Sequence, residues 1–292
     1  MPVRSALINV MSRAAEKAAR GLVRDFGEVE QLQVSRKGPG DFVSQADLQA
    51  EKILRQELSK ARPDFGFLME ESGSSPGREK GQRWIIDPLD GTTNFLHGLP
   101  FWAVSIACER DGEIIAGVVY EPIRDEMFWA EKGAGAYVNH QRLRVSSRRR
   151  LEDVIVATGI PYKGRGDHPA YLAQLKAVMA ATAGVRRCGA ASLDLCYVAA
   201  GRFDGFWETH LSAWDIAAGA LIVAEAGGFV SELGGGRKYL ESGSVLAANP
   251  ALFPDLGKLL REAVPAPAVA STPASASPTP VPASPTPVSA AC

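Results

Sequence analysis

The stretch WIIDPLDGTTNF, residues 84–95, predicts a buried strand that ends in a turn carrying two acidic residues. Its first three residues are large and apolar, a pattern typical of a strand inside a sheet. Asp87 and Asp90 follow that run, and the proline and glycine beside them favour a turn. Two carboxylates three positions apart are therefore expected to leave the end of one buried strand.

The oxygen atoms of this stretch suit a hard divalent cation. Carboxylates, hydroxyls and backbone carbonyls are the ligands that Mg²⁺ prefers, and the Leu89 carbonyl can turn toward the same point. Gly91, Thr92 and Thr93 offer backbone N–H groups at a predicted helix start, where a phosphate-sized anion binds well. A cation site beside an anion site indicates metal-assisted phosphoryl transfer. The alternative is that the two aspartates only cap the turn.

Two further acidic segments lie where a secondary-structure element begins or ends. Residues 65–72, FGFLMEES, end an apolar strand in the pair Glu70–Glu71, and residues 213–218, AWDIAA, place Asp215 at a helix start. Taken singly, the glutamates could be surface charge and Asp215 could be a helix cap. Together with residues 84–95, these segments supply four or five carboxylates at element ends, as in two-metal hydrolase sites.

Apolar periodicity over the rest of the chain predicts a layered fold of the α/β class (α+β layered). The first part is expected to be an antiparallel sheet with two leading helices, over helices 4–26 and 47–61 and strands 65–69, 84–87, 103–109, 114–120 and 126–131. The second part alternates the two element types, with strands 154–158 and 205–208 and helices 170–181, 191–200 and 216–226. A boundary near 146–150 divides the prediction into domains 1–147 and 148–263.

The composition excludes several classes of protein. A net charge of −1 over 292 residues argues against a general nucleic-acid binder, and no apolar run approaches the roughly 18 residues that span a membrane. Three of the four cysteines lie in apolar stretches, which predicts buried free thiols and a reducing, cytoplasmic setting. Eight of the 19 prolines fall in residues 264–292, a segment expected to be a disordered Pro/Ala/Ser/Thr-rich tail.

The motifs together resemble the inositol monophosphatase family, most closely its bacterial extragenic-suppressor subgroup. The segments that carry the resemblance are DFVSQAD (41–47), MEES (69–72), residues 84–95, RRCGAASLDLCYVAAGRFDGFWE (186–208) and AWDIAAGALIVAEAGG (213–228). The resemblance implies the sugar-phosphatase fold shared with fructose bisphosphatases, in alternating αβαβα layers. It also implies a Mg²⁺-dependent, lithium-sensitive phosphomonoesterase that hydrolyses myo-inositol 1-phosphate and related polyol monophosphates, and that forms a cytoplasmic homodimer.

The resemblance also implies a role for each matching residue. Two Mg²⁺ ions would share Asp87, the first held by Glu70, Asp87 and the Leu89 carbonyl and the second by Asp87, Asp90 and Asp215. A third, more weakly bound ion would be held mainly by Glu70. Glu70 and Thr92 would orient the attacking water, with Asp47 supporting Thr92. The N–H groups of Gly91 and Thr92 would bind the phosphate, and the leaving group would contact Asp90, Ala191, Glu208 and Asp215. A lysine placed as Lys37 lies near the metal site in this family; the alternative is an exposed turn lysine.

Other functions remain open on the sequence alone. Relatives act on fructose 1,6-bisphosphate, histidinol phosphate or adenosine 3′,5′-bisphosphate; Glu208 favours a polyol, because a carboxylate accepts hydrogen bonds from neighbouring hydroxyls. The sequence reveals no basic residue that would bind a second phosphate. The resemblance also allows a role in ribosomal RNA transcription antitermination, through antitermination proteins or RNA polymerase. The GxSxG match at 73–77 lacks a following helix pattern, so a serine nucleophile is not expected.

Overall fold

The protein is described by a computed structural model over residues 4–26, 34–38, 41–162 and 166–264. Two sheets organise these residues, one of eight strands and one of five, and a separate hairpin pairs β1 (Val34–Gly38) with β2 (Asp41–Ser44). The predicted tail lies outside the described residues, apart from residue 264. Within the described residues, no helix has the length and apolar character to cross a membrane.

The eight-stranded sheet belongs to the first part of the chain. Its strands are β3 (Gly66–Met69), β4 (Gly73–Ser75), β5 (Gln82–Asp90), β6 (Ala103–Arg110), β7 (Glu113–Glu121), β8 (Glu126–Glu131), β9 (Gly135–Val138) and β10 (Gln141–Arg142), in the order β10-β9-β8-β7-β6-β5-β3-β4. Three helices accompany it, α1 (Ala6–Phe26), α2 (Gln45–Ala61) and the short α3 (Thr92–Leu96). The two predicted leading helices are thus present.

The five-stranded sheet belongs to the second part. Its strands are β11 (Ile155–Thr158), β12 (Gly184–Arg186), β13 (Gly205–Glu208), β14 (Phe229–Ser231) and β15 (Val245–Ala248), in the order β12-β11-β13-β15-β14. The helices are α4 (His168–Ala181), α5 (Ala191–Ala199), α6 (Ala213–Glu225), α7 (Tyr239–Ser242) and α8 (Phe253–Ala263). The sequence analysis did not identify β12, β14, β15, α7 or α8. A domain boundary near residue 147 stays a prediction.

Burial assigns the helices to three layers around the two sheets. Helices α1 and α2 share one apolar cluster with one face of the eight-stranded sheet. Helices α5 and α6 lie between the sheets in the largest cluster, while α4 and α8 cover the far side of the five-stranded sheet. An α-helix must bury its apolar stripe against another element, so two sheets hold three helical layers. The predicted αβαβα alternation is confirmed.

A glycine on β7 brings α6 close to the eight-stranded sheet. A Cβ atom at Gly117 would lie 2.9 Å from the Ala218 carbonyl oxygen and 3.0 Å from its Cα, so any larger residue would push α6 outward. This matters for function because α6 carries Asp215 in its first turn. The packing between β7 and α6 therefore sets the distance from Asp215 to the strand that carries Asp87 and Asp90.

Two sequence-based expectations were wrong in detail. The eight-stranded sheet is not wholly antiparallel, because β3 and β5 pair in parallel, with Met69 opposite Ile86. The chain can return in the same direction because β4 first reverses along the outer edge of β3. Cys188 is only half-buried, since it lies in the loop before α5, whereas Cys108 and Cys196 are buried as expected.

Candidate active site

The parallel pairing of β3 and β5 brings two acidic residues to the same edge of the sheet. With Met69 opposite Ile86, the next residues along the two strands are Glu70 and Asp87. Their carboxyl groups are hydrogen-bond partners. An antiparallel pair would have placed the two strand ends at opposite edges. The inward orientation expected for one of the two glutamates is therefore confirmed for Glu70.

A bulge in β5 turns the second aspartate toward the first. Asp87 lies opposite Ser105 of β6, and Asp90 lies opposite Ala103, so three steps on β5 match two steps on β6. In a regular strand, residues three positions apart face opposite sides of the sheet. The extra residue corrects this phase and lets both carboxylates face one side. The Leu89 N–H also donates to Asp87 Oδ1 at 2.9 Å, which fixes that side chain.

Helix α6 delivers the third carboxylate of the cluster. Asp215 forms a capping box with Ser212, whose N–H donates to Asp215 Oδ2 at 2.7 Å. Carboxylate oxygens of Asp87, Asp90 and Asp215 all lie within 4.8 Å of one another. Asp215 therefore caps α6 and also belongs to the carboxylate cluster, so the two alternatives given by the sequence hold together. Three hard oxygen ligands around one point fit a divalent cation.

Burial and mutual repulsion make this cluster costly without a counter-charge. Burial, with further contributions from Glu70 and Asp90, raises the pKa of Asp87 well above its usual value. Burial likewise raises the pKa of Asp215, and Asp90 adds to the effect. Burial raises the pKa of Asp90 to about 6, although hydrogen bonds from Ser192 oppose the shift. Either protons or a bound cation must relieve this repulsion.

A threonine at the start of α3 lies between the cluster and a buried aspartate. The Thr92 hydroxyl is 3.1 Å from Asp47 Oδ1 and 3.0 Å from the Leu89 carbonyl oxygen. Asp47 is fully buried in the first turn of α2, so it supports Thr92 from behind. Gly91 precedes the helix with φ +92°, and a Cβ there would lie 3.0 Å from the Phe101 carbonyl oxygen. Glycine alone fits this turn.

Two members of the cluster, Asp90 and Asp215, line a cleft of about 200 Å³. Gly91, Thr92, Ala191 and Glu208 line the same cleft. Glu208 ends β13, and a Cβ at Gly159 would overlap its carboxyl group, so the glycine makes room for this side chain. Burial raises the pKa of Glu208 to about 8. A carboxyl group placed there can accept hydrogen bonds from alcohol hydroxyls when ionised.

Sequence reasoning missed two residues around the cleft. Arg187 lines the cleft, where its positive charge partly opposes the rise that burial causes in the pKa of Glu208. The sequence analysis found no basic residue near the pocket, and that expectation was wrong. Ser192 donates to Asp90 from its backbone N–H and its hydroxyl. Ser192 directly follows Ala191, which the resemblance already pointed to, and Arg187 lies four residues before it. A serine at a predicted helix start was the available signal.

Three further sequence candidates were the GxSxG match, the histidines and Lys37. Residues 73–75 of the GxSxG match form β4, and no helix follows, as expected. Among the described residues, the cluster able to hold a metal contains aspartates alone and no histidine. Lys37 lies on β1, and its side chain is outside what the structure describes. Its position relative to the cluster stays a prediction.

Comparisons with known proteins agree with this geometry. A family model described as the inositol monophosphatase family matches residues 2–265. An inositol-1-monophosphatase of Mesorhizobium japonicum is 60% identical over 259 residues, which cover 89% of this chain and 97% of that protein. A Nus factor SuhB of Pseudomonas aeruginosa is 45% identical, with 85% and 93% covered. The crystal structure of the extragenic suppressor protein suhB from Bartonella henselae has a TM-score of 0.87 and 57% identity, with 89% and 100% covered.

Proposed function

Because the chain belongs to the inositol monophosphatase family, and is on that ground a phosphoric monoester hydrolase, we propose that it hydrolyses myo-inositol 1-phosphate with Mg²⁺ as cofactor. One observation carries the proposal: oxygens of Asp87, Asp90 and Asp215 lie within 4.8 Å of one another, and Asp90 and Asp215 line one cleft together with Glu208. A cation and a hydroxyl-rich leaving group would find their ligands in one cavity.

The proposed metal ligands are Glu70, Asp87, the Leu89 carbonyl, Asp90 and Asp215. Their carboxylates, buried in Asp87 and Asp90 and half-buried in Glu70 and Asp215, suit Mg²⁺, which strongly prefers oxygen ligands. When bound, the cation supplies charge neutralisation of the phosphate and a lower pKa for the attacking water. Two to three ions per site stay a prediction.

The chain's own residues then orient the reactants. The Thr92 hydroxyl, held near Asp47 Oδ1 and the Leu89 carbonyl oxygen, would fix the water on one side of the phosphorus. The backbone N–H groups of Gly91 and Thr92 would hold phosphate oxygens at the start of α3. Attack would proceed in line: the water oxygen would bond to phosphorus as the bond from phosphorus to the alcohol oxygen breaks, and the leaving oxygen would take up a proton from water. The nucleophile would be water, so this reaction requires no cysteine, serine or histidine nucleophile.

Glu208 and Ala191 would recognise the alcohol. Above its pKa of about 8, the ionised Glu208 would accept hydrogen bonds from ring hydroxyls, and Ala191 would approach the same ring through its backbone. Arg187 would add a donor in the same part of the cleft. The negative charge of ionised Glu208 offsets the positive charge of Arg187, so this part of the cleft carries no net positive charge. This favours a neutral polyol over an alcohol carrying a second phosphate.

A panel of substrates tests the proposal. Phosphate release by the purified full chain would be measured with Mg²⁺ for myo-inositol 1-phosphate, fructose 1,6-bisphosphate, histidinol phosphate and adenosine 3′,5′-bisphosphate. The proposal expects the highest kcat/KM for inositol 1-phosphate. A higher value for any of the others would replace the substrate while keeping the enzyme class.

A second candidate function is a role in transcription. Relatives about 45% identical to this chain are named Nus factor SuhB, which favours this role for the present chain. Co-purification with RNA polymerase from the native organism, lost on substitution of surface residues but kept in the Asp90→Asn variant, would support it. Failure to recover polymerase subunits would count against it. Assembly as a homodimer stays a prediction that sedimentation would test.

A further inference from the structure

Helix α5 begins without a cap from its own segment. Its N-cap residue is Ala190, which has no side chain able to accept a hydrogen bond. The first N–H groups of a helix need acceptors from outside the helix. Asp90, at the end of β5, fills this role across the two parts of the chain. Its Oδ2 accepts from the Ser192 N–H at 2.8 Å and from the Ser192 hydroxyl at 2.5 Å.

We propose that Ser192 is a positioning residue that fixes the carboxylate of Asp90 in the orientation needed to bind the cation. The inference rests on the proposed function, in which Asp90 is a metal ligand. Both Ser192 bonds end on the same oxygen of Asp90, so the carboxylate is held by α5. A ligand already fixed in its binding orientation loses less conformational freedom when the cation arrives.

The bond also links the two parts of the chain at the reactive point. Asp90 belongs to the eight-stranded sheet, and Ser192 belongs to the helix between the sheets, 102 residues later. The first turn of α5 also contains Ala191, which lines the cleft. Holding Asp90 therefore sets the position of a proposed metal ligand relative to a residue that would contact the alcohol.

Ser12 offers a matched control for the removal of a buried hydroxyl. Ser192 and Ser12 are both buried on helices, at 0% and 2% exposed. The Ser12 hydroxyl makes no hydrogen bond to any described residue, and α1 lies outside the cleft. Ser12→Ala therefore removes the same atom from a similar environment without touching a proposed metal ligand.

Mg²⁺ binding without substrate is the primary test. Isothermal titration of the full chain with Mg²⁺ would compare the wild type, Ser192→Ala and Ser12→Ala. A hydrogen bond to a buried charged group is strong enough that its loss should raise the Mg²⁺ dissociation constant about tenfold. Ser12→Ala should leave it unchanged. In assays with inositol 1-phosphate, the Mg²⁺ concentration that gives half the maximal rate should rise by a similar factor in Ser192→Ala and stay unchanged in Ser12→Ala.

A double-mutant cycle on the metal-free protein gives an independent test. Ser192→Ala should lower Tm in the wild-type background and have little effect in the Asp90→Ala background, where its partner is missing. Equal effects in both backgrounds would overturn the proposal, as would wild-type Mg²⁺ affinity in Ser192→Ala or an equal loss in Ser12→Ala. A wild type that binds no Mg²⁺ would instead contradict the proposed function, while leaving the cycle to decide whether Ser192 holds Asp90.

Discussion

The two walls of the cleft are built in different ways. The proposed metal wall is formed by Asp87, Asp90 and Asp215, and its first two residues lie on β5, which pairs with β6 at both positions. The proposed alcohol wall, formed by Arg187, Ala191 and Glu208, comes from the loop before α5, the start of α5 and the end of β13. Two ligands on one strand are positioned by the same strand pairing, whereas a wall assembled from three segments can vary one residue at a time.

This contrast suggests a division of roles. The metal wall would serve the phosphate, which every substrate of the enzyme shares. The alcohol wall would serve the leaving group, which differs from substrate to substrate. Substitutions on the metal wall should therefore affect all substrates, and substitutions on the alcohol wall should affect only those with hydroxyl-rich alcohols.

The largest effect is expected for Asp90→Asn. The substitution removes a charge that the cation needs and keeps the shape of the side chain, so kcat should fall by at least about 10³-fold for every phosphomonoester. Phosphate release from inositol 1-phosphate and from 4-nitrophenyl phosphate would be measured in parallel. Asp255→Asn, an exposed aspartate on α8, is the control and should keep full activity. If Asp90→Asn kept a tenth or more of the wild-type activity, Asp90 would not be a metal ligand.

The next largest effect is expected for Thr92→Val. Valine keeps the volume but removes the hydroxyl that lies near Asp47 and the Leu89 carbonyl oxygen. Loss of this orienting group should lower kcat by about 10²-fold with both substrates and leave KM within a few-fold of the wild type. Thr182→Val, at the end of α4 and outside the cleft, serves as the control. A rise in KM without a change in kcat would show that Thr92 binds substrate only.

A smaller and selective effect is expected for Glu208→Gln. Glutamine keeps one acceptor and loses the charge that Glu208 carries above its pKa of about 8, so kcat/KM for inositol 1-phosphate at a pH of about 9 should fall by about tenfold. For 4-nitrophenyl phosphate, whose leaving group has no ring hydroxyls, it should change by less than about twofold. Glu262→Gln on the surface of α8 is the control. Equal losses with both substrates would abolish the proposed distinction between the two walls.

The smallest effect concerns the pH dependence of stability. Burial raises the pKa of Asp90 to about 6 and also raises those of Asp87 and Asp215, so the metal-free folded state binds more protons than the unfolded state. These groups should therefore destabilise the metal-free protein increasingly as the pH rises from about 4 through 6. The cation replaces those protons, so the rise in Tm on adding Mg²⁺ should be a few degrees larger at pH 8 than at pH 5.5. A pH-independent rise would contradict this coupling.

The sequence predicted the metal wall better than the alcohol wall, for a physical reason. Asp87, Asp90 and Thr92 lie within six residues of one another, so strand and turn preferences alone bring them together. Arg187 and Ser192 reach the site only through the packing of α5 between two sheets, which no local pattern encodes. Ser192 lies two positions into a predicted helix, yet its partner Asp90 is 102 residues away.

Two geometric details also lay beyond sequence reasoning. The bulge between Asp87 and Asp90 depends on the register of β6, and the parallel pairing of β3 with β5 depends on the path of β4. Both decide which carboxylates lie next to one another. The layered architecture was nevertheless predictable, because the alternation of strand and helix patterns in the second part is local and strong.

The most direct test of the central claim is a Mg²⁺ titration of phosphate release from myo-inositol 1-phosphate by the wild-type chain. The metal wall has three carboxylates whose mutual repulsion needs a cation, so phosphate release should be absent in chelator and rise to saturation as Mg²⁺ is added. Hydrolysis at the same rate in chelator as in saturating Mg²⁺ would contradict the claim that this acidic cluster works by holding a metal.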